Sequence, residues 1–326
     1  MDVLSDVVAL MRTGRPTSAR ISWRAPWGHR FPRLPGAACY QVVLRGSCWL
    51  IPDEGDPIPL SVGDVVFFPH GDAYALADDP ATPLVPLGCD PLGEPRLFAS
   101  AGFGGTGAET VTLCCGYRLA RGGTHPILAS LPSVIHLPAT LGRHPELRAA
   151  VDLLSGEIAD PRPGADTVVS SLLDTLQLYI LRAWFGDRGD VCGHTGWAAA
   201  LADPVVSRAL DAIHRDPSHR WTVESLGAHA GLSRAGFARR FTTLVGRPPL
   251  AYLTWWRLSV AARLLRESDA SVATVAERVG YGSEFAFGNA FKREHGLSPG
   301  RYRRESCPAP ETFASPAVRV GAHPLS

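Results

Sequence analysis

The sequence has little that would place it in a membrane or outside the cell. Its most apolar later stretch, residues 172–185, is interrupted by Asp174, Gln177 and Arg182, and no basic start leads into a long apolar run. The seven cysteines are odd in number and lack C-x-x-C spacing, which fits neither a disulfide framework nor a zinc ribbon. We therefore expect a cytoplasmic protein with free thiols, no export signal and no membrane contact.

Net charge is also almost absent, at +1, but it is unevenly distributed along the 326 residues. Residues 205–306 hold 16 Arg and Lys against 9 Asp and Glu, a net of +7, and the remainder holds 16 against 22, a net of −6. The length favours two domains. A basic domain joined to an acidic one predicts that the C-terminal part binds a polyanion.

The sequence pattern of the N-terminal part predicts β-strands followed by helices. Between residues 39 and 76, short apolar runs alternate with turn sequences, a spacing typical of a small antiparallel barrel or sandwich. Residues 146–158 and 166–184 then carry apolar side chains at helical spacing, which predicts two packed helices. Four glycines within residues 186–196 indicate a linker.

The C-terminal part contains an internal repeat. The segment from Thr222 (TVESLGAHAGLSRAGFARRF) matches the segment from Ser271 (SVATVAERVGYGSEFAFGNAF) at offsets of 49 and then 50. Each copy predicts a short helix, a tight turn at a glycine and a second helix capped by serine, which is the pattern of a helix-turn-helix.

Spacing within each second helix separates core from exposed positions. Phenylalanines four residues apart, at 237 and 241 and again at 287 and 291, share one face and are predicted to be core. The opposite face and the helix start are predicted to contact the major groove of double-stranded DNA. These candidate DNA-binding residues are Ser233, Arg234, Ala235, Ala238, Arg239, Ser283, Glu284, Phe285, Gly288, Asn289 and Lys292.

A single amphipathic unit of this kind could equally belong to an ordinary helix bundle. Two copies in register favour a DNA-binding domain over a bundle. As a helix, residues 250–267 would be about 27 Å long and could hold two recognition helices about one DNA turn, or about 34 Å, apart. A bundle needs no such repeat.

Roughly a hundred residues, 204–304, resemble the AraC/XylS family of transcription regulators. The resemblance is carried by WTVESL followed by AGLS, by RRFTTLVG, by the linker LTWWRLSVAARLL, and by VGYGSEFAF with AFKREHGLSP. It implies that the second helix of each repeat reads bases. Ala235, Ala238 and Gly288 are small, so we expect reading by Arg234, Arg239, Glu284 and Asn289, with thymine methyl contacts open to the alanines.

The segment from Gly63 to Tyr74 resembles the second characteristic segment of a cupin barrel, of the type found ahead of such DNA-binding domains. Many cupins are metalloenzymes, and the resemblance places Gln41 and Tyr74 roughly where metal-binding members have histidines. With no histidine between Phe31 and Pro69, the ligand set is broken. We expect no catalytic residue, no metal and no cofactor.

Two sensing chemistries stay open for the barrel. Trp49, Phe67 and Tyr74 could line an effector pocket, although inward aromatics of a small barrel are more often core, as we favour for at least two of them. Cys48 and Cys115 could be redox thiols if a nearby cation lowered their pKa, although buried inert thiols are the more usual case.

The sequence thus predicts an α+β protein with an N-terminal cupin-like barrel and helices, and a C-terminal all-α double helix-turn-helix domain. Its expected partners are double-stranded DNA, a second copy of the chain, a small-molecule effector and RNA polymerase. The alternatives are a cupin metalloenzyme with a DNA-binding appendage, a thiol-based redox regulator, and an architectural DNA-binding protein without an effector. The predicted domains are a barrel at 1–140, a dimerisation region at 141–186, a linker at 187–203, a DNA-binding domain at 204–306 and a disordered tail at 307–326.

Overall fold

The computed structural model describes residues 2–87, 98–119, 125–189 and 196–306. The predicted tail and the middle of the predicted linker lie outside these ranges. In chain order the elements are α1 Val3–Met11, β1 Arg12–Arg24, β2 Gly28–Phe31, β3 Ala37–Arg45, β4 Ser47–Pro52, β5 Ile58–Ser61, β6 Val65–Phe68, β7 Tyr74–Ala77, β8 Val85–Pro86, β9 Phe98–Gly104, β10 Glu109–Leu119, α2 Pro126–Ala129, β11 Ile135–Leu137, α3 Pro145–Ala159, α4 Ala165–Gly189, α5 Trp197–Ala202, α6 Pro204–Arg215, α7 Val223–Ala230, α8 Arg234–Val245, α9 Pro249–Glu267, α10 Val272–Arg278, α11 Glu284–His295 and α12 Pro299–Ser306.

The chain forms two compact units. The β-rich unit contains the strands, α3 and most of α4, and the helical unit contains α5 to α12 together with α1 and α2. The predicted α+β fold class, with strands first and helix-turn-helix elements last, is confirmed.

Two sheets make up the β-rich unit. One has the order β11-β6-β3-β10-β1-β9, and the other has the order β5-β4-β7-β2-β8. Their inward side chains form a common core that includes Trp23, Phe31, Leu50, Phe68 and Leu76. Tight turns join these short strands, as the sequence predicts. Gly46, between β3 and β4, has φ +74°, and a Cβ there would lie 2.6 Å from the carbonyl oxygen of Glu109.

Helices α3 and α4 occupy nearly the ranges predicted from helical spacing. On α4, the apolar face is fully buried, as at Val169 and Ile180. The hydroxyls of Tyr40 and Tyr117 donate to the carbonyl oxygen of Leu173 and to Asp174 Oδ1, at 3.5 and 3.3 Å. These bonds attach α4 to the six-stranded sheet on the face turned away from the β core.

The helical unit contains three elements that the sequence analysis assigned elsewhere. Helices α1 and α2, predicted to belong to the barrel region, pack in this unit. Helix α5 forms inside the range predicted as linker, because Trp197 and Ala200 are buried there, at 4% and 0% exposure. These three helices therefore belong to the unit in which their apolar faces are buried, whatever their position along the chain.

A buried chain of polar groups joins four elements of the helical unit. His125, which precedes α2, accepts a hydrogen bond at Nδ1 from the amide of Ile127 at 2.9 Å. Its Nε2 lies 3.2 Å from the hydroxyl of Tyr252 on α9, which lies 2.7 Å from Nε2 of His214 on α6. His214 Nδ1 is 3.4 Å from a carboxylate oxygen of Asp6 on α1.

These contacts assign the protons. Because a backbone amide can only donate, Nδ1 of His125 is the acceptor, and its neutral ring carries the proton on Nε2. That Nε2–H donates to Tyr252, whose own proton then points at Nε2 of His214. Neutral His214 therefore carries its proton on Nδ1, facing Asp6. The Tyr252 hydroxyl is donor and acceptor at once, and no residue without a hydroxyl can replace it.

We predict that Tyr252→Phe lowers the free energy of unfolding of the helical unit by about 1–3 kcal/mol. The change leaves a donor on His125 and an acceptor on His214 buried without partners. Urea unfolding of the full chain, followed by pulsed hydrogen exchange of α9 peptides, measures this loss. Tyr281→Phe is the control, since that half-buried hydroxyl makes no hydrogen bond to any residue that the structure describes. Equal effects of the two changes would contradict the prediction.

The same network predicts a loss of stability in acid. Burial, and then the charges of His214 and Arg247, hold the pKa of His125 well below its usual range. Burial also lowers the pKa of His214, partly opposed by Asp6. The unfolded chain therefore binds more protons than the folded chain once the pH falls below about 6.5, and stability falls by up to about 1.4 kcal/mol per pH unit for each histidine.

His125→Asn tests this pH dependence, since asparagine can still cap α2 but does not titrate. We expect a shallower decline in the stability of the helical unit between pH 6.5 and 5 for this variant, measured with the hydrogen-exchange pulse at one fixed pH. An unchanged slope would show that His125 does not contribute.

Candidate nucleic-acid interface

The first helix-turn-helix is built by local capping. Thr222 Oγ1 accepts from the amide of Ser225 at 3.0 Å, and Ser225 Oγ accepts from the amide of Thr222 at 2.9 Å, so the two residues close a capping box at the start of α7. Gly231 ends α7 with φ +81°, and Ser233 caps α8 through the amide of Gly236. The turn between the helices is thus set by residues that the sequence makes visible.

The second helix-turn-helix repeats this construction. Ser271 caps α10, and Ser283 caps α11 by accepting from the amide of Ala286. Gly280 at the turn has φ +84°, and a Cβ there would come within 2.7 Å of the carbonyl oxygen of Ser218. A side chain at position 280 would therefore collide with the backbone that leads into the first unit.

The four predicted core phenylalanines are fully buried, at 0% exposure each. In the second unit Phe287 and Phe291 join a cluster with Leu258, Val275 and Tyr302. The prediction that these phenylalanines are core is therefore confirmed: each pair packs inside its own unit, and the other face of the helix stays exposed.

The candidate DNA-binding side chains lie mostly on the surface of the helical unit. Ala238 and Gly288 are half-buried. The exposed members of the set are Ser233, Arg234, Ala235, Arg239, Ser283, Glu284, Phe285, Asn289 and Lys292. Except for Lys292, they lie at the helix starts and in the first two turns, and Ala235, Arg239, Phe285 and Asn289 lie opposite the buried phenylalanines, which is the geometry of a helix whose N-terminal end enters a groove.

Two neighbouring arginines on α8 have different roles. Arg240 donates from Nε to Asp203 Oδ2 at 2.8 Å and makes a second bond to the same oxygen through Nη2. Asp203 is also the N-cap of α6; burial alone would raise its pKa, but the bonds from Arg240 and from the amides of Val206 and Val205 outweigh burial and lower it. Arg240 thus fixes α8 against α6, whereas Arg239 is free of that tie.

A groove of about 750 Å³ runs beside α8 and α5. Its walls include Ala198, Ala199 and Ala202 of α5, with Gly236 and Arg239 of α8. Arg239 thus lies among small side chains on this wall. This wall was not predicted from sequence because α5 lies in the predicted linker, although WAAALA after a glycine is typical of a helix.

The predicted pocket aromatics of the β-rich unit are not brought together. Tyr74 stacks between Phe31 and Phe68, with ring centroids 4.6 and 3.9 Å away, inside the β core. Phe67 precedes Phe68 on β6 and so points to the opposite face of its sheet, and Trp49 points away from the core that its neighbours Cys48 and Leu50 enter. The three side chains therefore point to different sides of the two sheets. Phe67 and Tyr74 are buried and serve as packing residues.

The two positions compared with metal ligands hold a polar pair instead. Nε2 of Gln41 donates to the Tyr74 hydroxyl at 2.7 Å, and both side chains are buried, at 1% and 4% exposure. An amide and a phenol bonded to each other do not fit a zinc ion, which takes imidazole, thiolate or carboxylate ligands. Among the residues that the structure describes, no cluster of three His, Cys, Asp or Glu side chains could hold a metal ion.

The two candidate redox thiols are buried in different places. Burial, and then the charge of Asp64, raise the pKa of Cys48 to about 12. Burial also raises the pKa of Cys115 well above its usual range. Thiols held in the protonated form react slowly with oxidants. Neither thiol has the lowered pKa that the redox hypothesis requires.

In the described part of the chain, no helix has both the length and the apolar character needed to cross a bilayer.

Comparison with known proteins agrees with this geometry. The cupin family matches residues 2–186, and a helix-turn-helix domain family matches residues 226–305. An AraC-like transcription regulator of Streptomyces antibioticus is 36% identical over 94% of this chain and 100% of its own length. The HTH-type transcriptional regulator MtrA of Neisseria gonorrhoeae is 31% identical over 94% of this chain and 99% of its own.

A solved structure of the DNA-binding domain of AdpA in complex with a target DNA is 40% identical, covers 32% of this chain and 92% of that chain, and has a TM-score of 0.30. The full-length relatives share both halves of the chain in the same order. With a cupin half and a double helix-turn-helix half, the chain belongs to the AraC-like transcription regulators, and it binds double-stranded DNA.

Proposed function

We propose that α8 and α11 are the two recognition helices and that each places its N-terminal turns in the major groove of one operator. The supporting observation is that one capped construction occurs twice, with its phenylalanines buried and its other face exposed in both copies. In this proposal residues 204–306 contact DNA, and the base-reading side chains are Arg234, Arg239, Glu284 and Asn289.

Charge supports the same assignment. The net +7 of residues 205–306 supplies an attraction to phosphate that does not depend on sequence. Affinity for any duplex should therefore fall by about a thousandfold between 50 and 200 mM salt if about six phosphates are neutralised. Sequence discrimination comes in addition, from side chains that reach base edges.

We predict that Arg239→Ala weakens binding to a selected operator by about 1–3 kcal/mol and leaves binding to random duplex nearly unchanged. An exposed arginine on a recognition helix can donate twice to guanine, and Arg239 has no structural tie such as that of Arg240. Fluorescence anisotropy titrations of the full chain on both duplexes, over a salt series, measure the two affinities.

The control for this experiment is Arg162→Ala. It removes the same charge from an exposed loop of the β-rich unit, where Arg162 pairs with Glu157 at 3.6 Å. An equal loss on selected and random DNA for Arg239→Ala would make that residue a phosphate contact. A full chain that binds DNA without salt dependence would remove the proposal altogether.

We further propose that α4 and α3 carry homodimerisation. The apolar residues on one side of α4 differ in burial: Leu176 is fully buried, whereas Val168 is 43% exposed and Leu172 and Tyr179 are half-buried. On α3, Leu153 is 63% exposed. A second copy of the chain would cover these apolar side chains in an isologous contact.

Val168→Asp should weaken dimerisation of the full chain by about tenfold or more, since each copy would lose a buried valine, worth about 1.5 kcal/mol or more. Sedimentation velocity over a concentration series measures the effect. Val62→Asp is a matched control, because Val62 is 47% exposed in the turn before β6. A wild-type chain that is monomeric at tens of micromolar, or equal effects of the two changes, would contradict the proposal.

The proposal assigns no catalytic role to the cupin half. The Gln41–Tyr74 pair in place of metal ligands and the raised pKa values of Cys48 and Cys115 argue against the metalloenzyme and redox alternatives. We propose instead that this half responds to a small-molecule effector and that the DNA-bound protein acts on RNA polymerase in the cytoplasm, where the chromosome is.

A further inference from the structure

Phe285 is the second residue of α11 and is 79% exposed. No other Phe, Tyr or Trp whose side-chain exposure the structure describes is as exposed. It lies two residues before Phe287, which is fully buried, and so it points away from the core of its unit. Its ring contributes little to folding.

A single exposed apolar side chain is common on protein surfaces. Phe285 differs from such isolated residues because Gly288 and Asn289 lie on the same face of α11. Gly288 lies one turn later on the same face, and a Cβ built there would meet no atom within 4 Å, so the helix has an open notch beside the ring. Asn289, four residues after Phe285, is exposed next to the same notch.

The chemistry of this face suits one kind of base pair. In the major groove the thymine 5-methyl group is the apolar feature that distinguishes a base edge, and an asparagine amide pairs with N6 and N7 of adenine. An aromatic ring with a notch beside it can receive a methyl group, and Asn289 can read adenine nearby. The face of α8, with Arg234 and Arg239, instead suits guanine.

We propose that Phe285 is a specificity-determining residue that selects thymine by packing against its 5-methyl group. The proposal rests on the assignment of α11 as a recognition helix. It predicts that the operator segment bound by α11 contains a thymine whose replacement by deoxyuridine, which lacks only the methyl group, weakens binding.

The test begins with selection of duplexes from a random pool by the full-length wild-type protein and by the Phe285→Ala and Phe285→Leu variants. Each thymine of the wild-type consensus is then replaced in turn by deoxyuridine. At one position the replacement should weaken wild-type binding by about fourfold, the equivalent of one buried methyl group. Phe285→Ala should lose both the preference for thymine and the effect of deoxyuridine at that position, and Phe285→Leu should keep part of each.

Arg239→Ala serves as the control, since it weakens the α8 contact and should retain the deoxyuridine effect. Phe285→Ala with the full thymine preference and the full deoxyuridine effect would overturn the proposal while leaving DNA recognition intact. If Phe285→Ala keeps both effects but alters dimerisation or polymerase recruitment, the ring contacts a protein partner instead. A wild-type protein that enriches no sequence would overturn the assignment of the recognition helices themselves.

Discussion

The packing of the helical unit depends on the two hydrogen bonds of the Tyr252 hydroxyl group. This hydroxyl lies on α9, the helix between the two helix-turn-helix units, and it links imidazoles that come from α6 and from the segment before α2. Trp256 of α9 stacks on one of these imidazoles, with ring centroids 3.6 Å apart. Because α9 is buried along most of its length, its position fixes the positions of α8 and α11, which pack on it. Helix α9 therefore sets the spacing between α8 and α11.

The two helix-turn-helix units share a scaffold and differ in the chemistry they present. Serine caps, a glycine turn and a phenylalanine pair recur in both, since they satisfy backbone groups and fill a core of fixed shape. The exposed faces have no such constraint. One carries arginines, and the other carries Glu284, Phe285 and Asn289. The two exposed faces therefore differ in the chemical groups that they present.

The interior of the β-rich unit combines an aromatic core with one buried polar pair. Two facing sheets share the core, and within it the side-chain amide of Gln41 donates to the hydroxyl of Tyr74. A buried polar group is costly unless it is hydrogen-bonded, so the bond between Gln41 and Tyr74 stabilises this interior. The same packing encloses Cys48 and Cys115 and holds their thiols protonated.

The sequence alone determined what depends on near neighbours in the chain. The internal repeat, the caps at Ser233 and Ser283, the buried phenylalanine pairs and most of the ranges of α3 and α4 follow from spacing and are present in the structure. Only the tertiary structure decided what depends on distant segments: that α1 and α2 pack with the C-terminal helices, that Asp6, His125, His214 and Tyr252 form one buried chain, and that Trp49, Phe67 and Tyr74 lie on separate surfaces. The reason is physical. Periodicity records which face of an element is apolar, but the partner that covers this face is chosen by burial and hydrogen-bond satisfaction over the whole chain.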